Sequence, residues 1–398
     1  MRGLIGLLGA VGLAGCATGQ GGTPVASDAA VVSQTVRMDA GNADQLRQVG
    51  ADILFWSPEQ RVRNFQAMET VFPGHVVKAG GRVRALPAGP ALNLPAAEVD
   101  AYMREHGVAG LIVLKDGRVA LERYALGFEA DERWTSFSVA KSFTSTLVGA
   151  AIKDGAIASV DDPVTRYLPE LAGSGYDGVS VAQLLTMTSG VRWNEDYTDA
   201  NSDVARMYAK PAPEGMDPTV AYMRTLPRES APGAKWVYKT GETNLIGVLV
   251  AKATGVPLAT YLSRKIWQPF GMERDAFWMI DPSGQEVSGC CLSVSLRDYA
   301  RMGQFVLEGG AGQVPPDWFD QATAAKVSVG SPGFGYGYQW WTYPGGLYGA
   351  QGIFGQSILI DPQAKIVFAM VGSWPRATGR DLSQARMAFQ QRILAAGR

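Results

Sequence analysis

The residues of this sequence best suited to chemistry are a serine and a lysine three positions apart. Ser138 and Lys141 stand in residues 134–153, where apolar and small residues recur at helical spacing after a serine-rich start. Side chains three apart lie on one face of a helix and can meet. A desolvated lysine with a lowered pKa can take the proton of a serine hydroxyl and make that oxygen a nucleophile. The same Ser-x-x-Lys string is often only a helix cap followed by a solvated lysine, so its meaning depends on the rest of the chain.

Two later segments carry further groups with possible chemistry. Tyr238 stands in a loop before an amphipathic helix, and a phenol there could relay protons if a nearby ammonium lowered its pKa. The alternative is a tyrosine that only packs in the core. Gly352 and Gly355 lie in a turn between two strand-like runs, where a backbone without side chains can approach a ligand and offer an N–H group.

The elements around these groups predict an α/β (α+β) fold. Residues 109–124 form two strand-like runs joined by Asp116-Gly117, a strong hairpin signal immediately before the serine helix. Further strand-like runs occupy residues 336–343, 355–361 and 365–371, and helices are predicted over residues 181–190, 292–303 and 383–395, the second N-capped near Ser295. Strands at both ends with helices between predict one antiparallel sheet built from both chain ends, flanked by helices, with an inserted helical lobe at about residues 155–290.

Composition narrows the possible functions. The chain has 398 residues, a formal net charge of −1 and 18% charged residues, which gives no electrostatic case for nucleic acid. It has two histidines, His75 and His106, neither beside a recognisable nucleophile, which argues against a Ser-His-Asp triad and a histidine zinc site. Cys290 and Cys291 are adjacent and could bridge only through a strained ring, so free buried thiols are predicted.

The N-terminal segment predicts a lipid anchor. Residues 1–16 contain one positive charge and a short apolar run, too short to span a bilayer, and end in Leu13-Ala-Gly-Cys16. This ending resembles the lipobox of bacterial lipoproteins, which implies acylation of Cys16; an ordinary cleaved signal is the alternative. Ala17 stands where an aspartate would signal inner-membrane retention, so the expected location is the outer membrane, facing the periplasm. Residues 17–38 are predicted to be a flexible tether, and residues 39–398 the catalytic domain.

Three motifs together resemble one superfamily. Ser138-Val-Ala-Lys141, Tyr238-Lys-Thr240 and Ala350-Gln-Gly352 have the order and rough spacing of the class C β-lactamase-like serine hydrolases, which include DD-peptidases, family VIII carboxylesterases and 6-aminohexanoate-dimer (nylon oligomer) hydrolases. The amino-acid sequences of residues 188–197 and 238–244 are most similar to those of the aminohexanoate-dimer hydrolase branch. Ala350 replaces the lysine or histidine that would pair with a β-lactam carboxylate, so efficient penicillin hydrolysis is not expected.

The resemblance also implies roles for individual residues. Ser138 would form an acyl-enzyme, with its proton passing to the Lys141–Tyr238 pair. Backbone N–H groups of Ser138 and Ile353 would hold the oxyanion. Substrate contacts would come from Thr240, Gln351 and Gly352. The implied substrate is a small ester or linear amide, and no metal or cofactor is required. A cell-wall DD-peptidase or penicillin-binding protein, and a non-catalytic ligand-binding lipoprotein, are the alternatives.

Overall fold

The structure is a computed structural model that describes residues 52–398. The predicted signal segment, the tether and Cys16 lie outside the described residues. The strands are β1 (Gly74–Val77), β2 (Val108–Lys115), β3 (Arg118–Tyr124), β4 (Trp134–Thr135), β5 (Ala276–Met279), β6 (Leu292–Val294), β7 (Val327–Ser328), β8 (Gly335–Tyr336), β9 (Trp341–Thr342), β10 (Tyr348–Gln351), β11 (Ser357–Asp361) and β12 (Ile366–Gly372).

Helices account for most of the remaining regular structure. The α-helices are α1 (Pro58–Phe65), α2 (Ala96–Glu105), α3 (Ala140–Lys153), α4 (Val181–Leu185), α5 (Asp203–Arg206), α6 (Pro218–Met223), α7 (Thr240–Thr254), α8 (Leu258–Leu262), α9 (Gln268–Phe270), α10 (Leu296–Leu307), α11 (Trp318–Ala322) and α12 (Arg380–Gly397). A π-helical turn, Ser263–Trp267, joins α8 to α9, and 3-10 turns cover Ile53–Phe55, Met68–Thr70, Phe137–Val139, Val164–Arg166, Pro169–Leu171, Pro344–Gly346 and Ile353–Gly355.

The larger sheet joins the two ends of the described chain. Its eight strands lie in the order β3-β2-β12-β11-β10-β9-β8-β7, with every neighbouring pair antiparallel. Asp116 and Gly117 both have positive φ, as a two-residue hairpin turn requires, and they connect β2 to β3. The C-terminal strand β12 then pairs with β2. The prediction of an antiparallel sheet built from both ends is therefore confirmed.

Helices cover both faces of this sheet. Ala109, Ile112 and Leu114 of β2 face the main core, where α10 packs against β12. The alternate residues of β2 face the other side, where Phe389 and Ile393 of α12 cover the sheet. The result is a layered arrangement of helix, sheet and helix, with the main core on the α10 side.

A second, four-stranded sheet was not anticipated from the sequence. Its order is β1-β5-β6-β4, and both β4 and β5 run antiparallel to β6. Residues 292–303 were predicted as one helix, but Leu292–Val294 is strand β6 and the helix begins at Leu296, with Ser295 as its N-cap. Because β4 and β5 run in the same direction, their C-terminal ends lie at the same end of the sheet, beside the N-terminal end of β6.

The regular structure of the central region, residues 155–290, is mostly helical, with two differences from prediction. β5 lies inside the predicted lobe of residues 155–290, because it pairs with β1 and β6 to complete the small sheet. The helix predicted to close at Gly190 ends at Leu185 instead, and Gly190 adopts positive φ in the following loop, where a Cβ would lie 2.1 Å from the Ser230 carbonyl oxygen.

Two buried helices form the centre of the molecule. Every residue from Ala140 to Ala151 of α3 is buried, as is every residue from Thr240 to Val250 of α7, and the two helices pack against each other. Within residues 52–398 no single helix has the length and apolar character to cross a membrane; Thr240–Thr254 and Leu258–Phe270 meet that test only as a pair bent by 75°. The packing of α3 on α7 brings the first two motifs together.

Candidate active site

The serine and lysine of the first motif lie at the start of α3. The chain leaves β4, makes the 3-10 turn Phe137–Val139 and enters the helix, so Ser138 is placed one turn before Lys141. Lys141 Nζ donates a hydrogen bond to Ser138 Oγ at 3.1 Å. Phe137 has a φ of 42°, a region that costs a non-glycine residue about 1–3 kcal/mol. The rings of Phe65 and Phe354, 4.9 and 5.3 Å away, hold it there.

The ammonium group of Lys141 is enclosed by acceptors. Besides Ser138 it donates to Thr240 Oγ1 at 3.0 Å and to the Gly289 carbonyl oxygen at 2.6 Å, and the residue is 1% exposed. Burial lowers the pKa of Lys141 to about 8, against an opposing effect from the charge of Glu195. An appreciable fraction of the amine is therefore neutral near neutral pH and can accept a proton.

Glu195 is a site residue that sequence reasoning missed. One of its oxygens accepts the hydroxyl hydrogen of Thr240, and the other accepts from the backbone N–H of Thr240 at 2.8 Å. Tyr197 and Trp193 also donate to this half-buried carboxylate. Residues 188–197 were noted only for their sequence similarity to the aminohexanoate-dimer hydrolase branch, and nothing in their spacing indicates a contact with the site around Lys141.

This arrangement sets the direction of the lysine lone pair. Because the Thr240 hydroxyl hydrogen is directed to Glu195, Thr240 Oγ1 accepts from Lys141, and the Gly289 carbonyl can only accept. A neutral amine has two hydrogens and one lone pair. With both hydrogens taken by these acceptors, the lone pair is left for the hydroxyl of Ser138, which is the geometry a general base requires.

Tyr238 lies just before Lys239, the N-cap of α7, within an aromatic group. Its ring stacks on Trp341 at 5.8 Å and contacts Trp236 and Tyr336, while Lys141 Nζ lies 5.2 Å from its centroid. Burial, reinforced by the charge of Glu195, raises the pKa of Tyr238 well above its usual range, although a hydrogen bond with Ser138 acts the other way. The expectation that a nearby ammonium lowers this pKa is therefore wrong. Tyr238 is therefore a neutral phenol that holds its proton.

The third motif, Ala350-Gln-Gly352, comes close to the turn that carries Ser138 at Gly352. A Cβ on Gly352 would lie 2.6 Å from the Ser136 carbonyl oxygen and 3.2 Å from Phe137 Cβ, so only glycine allows this contact. Ile353 then begins a 3-10 turn, and Ser138 lies near the start of the helical segment that continues into α3. The N–H groups at the start of a helical turn have no hydrogen-bond partner within the turn. The N–H groups of Ser138 and Ile353 can therefore both face a ligand. Both residues line the same cavity.

Gln351 differs from its predicted role. Its side-chain amide donates to Tyr343 Oη at 2.6 Å and accepts from Arg386 of α12, and it does not line the cavity. Successive side chains of a strand point to opposite faces. Ala350 faces the main core, so Gln351 is directed to the α12 side of the sheet, away from Ser138.

The cavity beside Ser138 has a volume of about 130 Å³ and mostly apolar walls. Thr240 lines it, as do Cys290 and Cys291. The prediction of free thiols is wrong, because the two neighbouring cysteines form a disulfide, with Cys291 at positive φ. Among the described residues that line the cavity there is no lysine or arginine.

The chain is similar to known proteins in sequence and in fold. The sequence matches the β-lactamase family over residues 96–391. A 6-aminohexanoate-dimer hydrolase from Paenarthrobacter ureafaciens is 32% identical over 316 residues, which are 73% of this chain and 80% of that protein. Esterase EstB from Burkholderia gladioli is 30% identical over 203 residues, 46% of this chain and 50% of EstB. A Bacillus anthracis structure described as a 6-aminohexanoate-dimer hydrolase superposes with a TM-score of 0.72 at 22% identity, covering 83% of this chain and 93% of that one.

These similarities and the serine–lysine pair beside a cavity define a serine hydrolase. The chain belongs to the β-lactamase family, and its relatives include proteins named 6-aminohexanoate-dimer hydrolase, esterase and β-lactamase. The family resemblance inferred from three short motifs is confirmed.

Proposed function

We propose that the protein hydrolyses a small carboxylic ester or a linear amide through an acyl-enzyme on Ser138. The observation that carries this proposal is the environment of Lys141, whose two other neighbours are fixed as hydrogen-bond acceptors. The relatives add support, because one is named for an aminohexanoate dimer and another is named an esterase. The site has the parts for acyl transfer: a nucleophile, a base, an acid and a pair of backbone donors.

In the acylation step, the neutral amine of Lys141 takes the proton of Ser138 as Oγ forms a bond to the substrate carbonyl carbon. The negative charge that develops on the carbonyl oxygen is held by the N–H groups of Ser138 and Ile353. The phenol of Tyr238 gives its proton to the leaving alcohol or amine as the bond to carbon breaks. The ammonium of Lys141 then returns a proton to Tyr238, and the lysine is neutral again.

In the deacylation step, water takes the place of the leaving group. Its proton passes through Tyr238 to Lys141 while its oxygen attacks the acyl carbon. The bond to Ser138 breaks, and Lys141 returns a proton to Oγ, which releases the carboxylic acid and restores the enzyme. Thr240 and Glu195 act in both steps by keeping the lone pair of Lys141 directed at the reacting oxygen.

β-Lactams fit this site poorly. The third motif begins with Ala350, and the described cavity wall contains no cationic side chain that could pair with a β-lactam carboxylate. The same absence weakens the DD-peptidase alternative, whose peptide substrates end in a carboxylate. A small uncharged acyl compound agrees better with the mostly apolar wall.

The direct test is intact mass spectrometry after brief mixing with 4-nitrophenyl acetate. Wild type should gain one acetyl group and release 4-nitrophenol, and Ser138→Ala should do neither because the nucleophile is absent. Ser142→Ala is a matched control, since this buried serine of α3 donates to the Gln339 carbonyl and does not line the cavity. An acetylated Ser138→Ala protein would reject Ser138 as the nucleophile. No adduct and no 4-nitrophenol from wild type would favour the ligand-binding alternative.

We further propose that Cys16 carries a lipid that tethers the protein to the outer membrane, facing the periplasm. The support is the sequence Leu13-Ala-Gly-Cys16 with Ala17 after it. Wild type should sediment with membranes on fractionation of the producing cells, and Cys16→Ser should be released. Equal membrane association of the two proteins would reject the anchor.

A further inference from the structure

Three phenylalanine rings pack together beside the two proposed oxyanion donors. The ring of Phe65, the last residue of α1, lies 4.9 Å from that of Phe137 and 5.3 Å from that of Phe354, and these two rings are themselves 5.3 Å apart. Phe137 directly precedes Ser138, and Phe354 directly follows Ile353. Phe65 therefore contacts both turns that carry a donor, although it does not line the cavity.

Both turns contain a residue in an uncommon backbone conformation. Phe137 has a φ of 42° and Phe354 a φ of 59°, in the left-handed region that residues with a Cβ seldom adopt. The dihedral angles of Phe137 set the direction of the Ser138 N–H, because that N–H belongs to the planar peptide group that joins the two residues. Phe354 follows the second donor by one residue, so the turn that carries this donor changes shape if Phe354 leaves its conformation.

Hydrogen bonds fix the backbone of Phe354 to the segment after β12. Its N–H donates to the Ala377 carbonyl at 2.9 Å, and its carbonyl accepts from the Trp374 N–H at 3.1 Å. Arg61 of α1 donates to the Pro375 carbonyl at 3.2 Å, and its guanidinium carbon lies 5.1 Å from the centroid of the Phe354 ring. The helix α1 is therefore tied to the same segment that holds Phe354.

Burial alone would give Phe65 only a role in stability. Its side chain is 0% exposed, and loss of a buried ring destabilises a protein wherever it lies. The contacts of Phe65 with both donor turns add a second effect, because a rigid ring that packs on two segments also sets how these segments lie relative to each other.

We propose that Phe65 positions the backbone N–H groups of Ser138 and Ile353 in the oxyanion site. This inference rests on the proposed function and adds to it a positioning residue from α1, which precedes the residues 96–391 that match the family. With a smaller side chain in its place, Phe137 and Phe354 lose a neighbour that holds them at positive φ. The two N–H groups then no longer converge on one oxygen.

The test compares how wild type and Phe65→Leu bind 1,1,1-trifluorohexan-2-one and hexan-2-one, measured as inhibition of 4-nitrophenyl acetate hydrolysis. With the trifluoroketone, Ser138 Oγ bonds to the carbonyl carbon, the hydroxyl proton passes to Lys141 and the carbonyl oxygen becomes an oxyanion. Hexan-2-one has the same length and binds without forming this charge. Wild type should bind the trifluoroketone at least about 10²-fold more tightly, as expected for a transition-state analogue.

In Phe65→Leu this ratio should fall by about 10- to 100-fold, a part of the about 10²–10³ that the loss of a whole donor costs. The readout is a ratio of two inhibition constants, which is independent of how much of the variant is folded. If Phe65→Leu does not fold, Phe65→Met gives the same comparison, because a flexible methionine fills irregular space in a core.

Phe305→Leu is the matched control. Phe305 of α10 is also 0% exposed, packs edge-on against Phe270 and Phe319 at 5.2 and 6.1 Å, and does not line the cavity. Both variants lose a buried ring, so both should unfold at a lower temperature than wild type, but only Phe65→Leu should change the ratio. The pH midpoint of kcat/KM should stay at the wild-type value in both, because the surroundings of Lys141 are unchanged.

The outcomes separate this inference from the proposed function. A wild-type ratio in Phe65→Leu, or an equal loss in Phe305→Leu, would overturn the positioning role and leave the hydrolase intact. A shifted pH midpoint in Phe65→Leu would also overturn it, since the change would then lie at Lys141, and so would equal binding of the two ketones by a wild type that forms the acyl-enzyme. If no ester acylates Ser138, the proposed function itself fails.

Discussion

Replacement of Glu195 by glutamine tests how the structure sets the pKa of the proposed base. Lys141 Nζ is 3.0 Å from Thr240 Oγ1, and Glu195 accepts a hydrogen bond from the same hydroxyl. The two charges are therefore about 5 Å apart, one hydrogen bond on each side of a shared oxygen. Glutamine keeps an oxygen that can accept from Thr240 and removes the negative charge.

The expected magnitude follows from Coulomb's law. At about 5 Å the attraction is roughly 3 kcal/mol with an effective dielectric constant of about 20, and about 0.8 kcal/mol in bulk water. Glu195 is half-buried, so the real value lies between these limits. Loss of the charge should lower the pKa of Lys141 by about 1, because each such step corresponds to about 1.4 kcal/mol.

The pH dependence of kcat/KM reports this change. Only the neutral amine can act as the base, so wild-type activity should rise with pH through about 8, the pKa of Lys141. In Glu195→Gln the rise should move to about pH 7, and activity at pH 7 should increase from about one-tenth to about one-half of the plateau. The plateau itself should fall, because Thr240 is held less firmly, but the position of the midpoint is the readout.

The control is Asp196→Asn, at the neighbouring residue. Asp196 is exposed and accepts from the backbone N–H and hydroxyl of Thr198 through one oxygen, a role that asparagine can keep. Its charge is screened by solvent, so the midpoint should stay in place. A Glu195→Gln profile with an unchanged midpoint, or one moved to higher pH, would refute the view that Glu195 acts on a lysine base.

Three further predictions concern the acid, the glycine approach and the disulfide. Tyr238→Phe should lower kcat by about 10²–10⁴ with KM changed little, since only proton transfer is lost. Steady-state kinetics with an ester of a poor leaving group would measure this loss, and an unchanged kcat would assign Tyr238 to packing on Trp341. Gly352→Ala should lower kcat by about 10²–10³, because the added Cβ displaces the N–H of Ile353. The control Gly81→Ala should match wild type, since there is open space around Gly81. Equal kcat values for the two variants would exclude the Ile353 N–H as an oxyanion donor. Iodoacetamide should label Cys290 and Cys291 in denatured protein only after reduction, and labelling without reductant, detected by peptide mass, would show free thiols.

Several features could be predicted from short stretches of sequence. The hairpin at Asp116-Gly117 depends on two residues that accept positive φ between strand-like runs, and the start of α10 depends on the side chain of Ser295 capping its own helix. The approach of Lys141 to Ser138 follows from helical spacing. These predictions agree with the structure because the decisive contacts join residues close together in the chain.

Other features depend on how segments far apart in the chain pack together, and the predictions made for them were wrong or incomplete. The direction of the Gln351 side chain depends on which face of β10 meets the core. The disulfide joins two neighbouring cysteines, but its formation depends on the backbone path of the loop before β6, which is set by the packing around it. The small sheet, assembled from strands about 200 residues apart such as β1 and β5, left no recognisable pattern in any one segment.

The family, the order of the motifs and the residue types able to do acyl transfer follow from the amino-acid sequence. Which of these residues act together, and in which protonation state, depends on how the chain folds. Lys141 meets Thr240 across 99 residues, and Glu195 reaches that hydroxyl from a third segment. A pKa depends on the charges and the desolvation around a group, which arise when distant segments pack, so the lowered pKa of Lys141 and the raised pKa of Tyr238 could not be read from the chain alone.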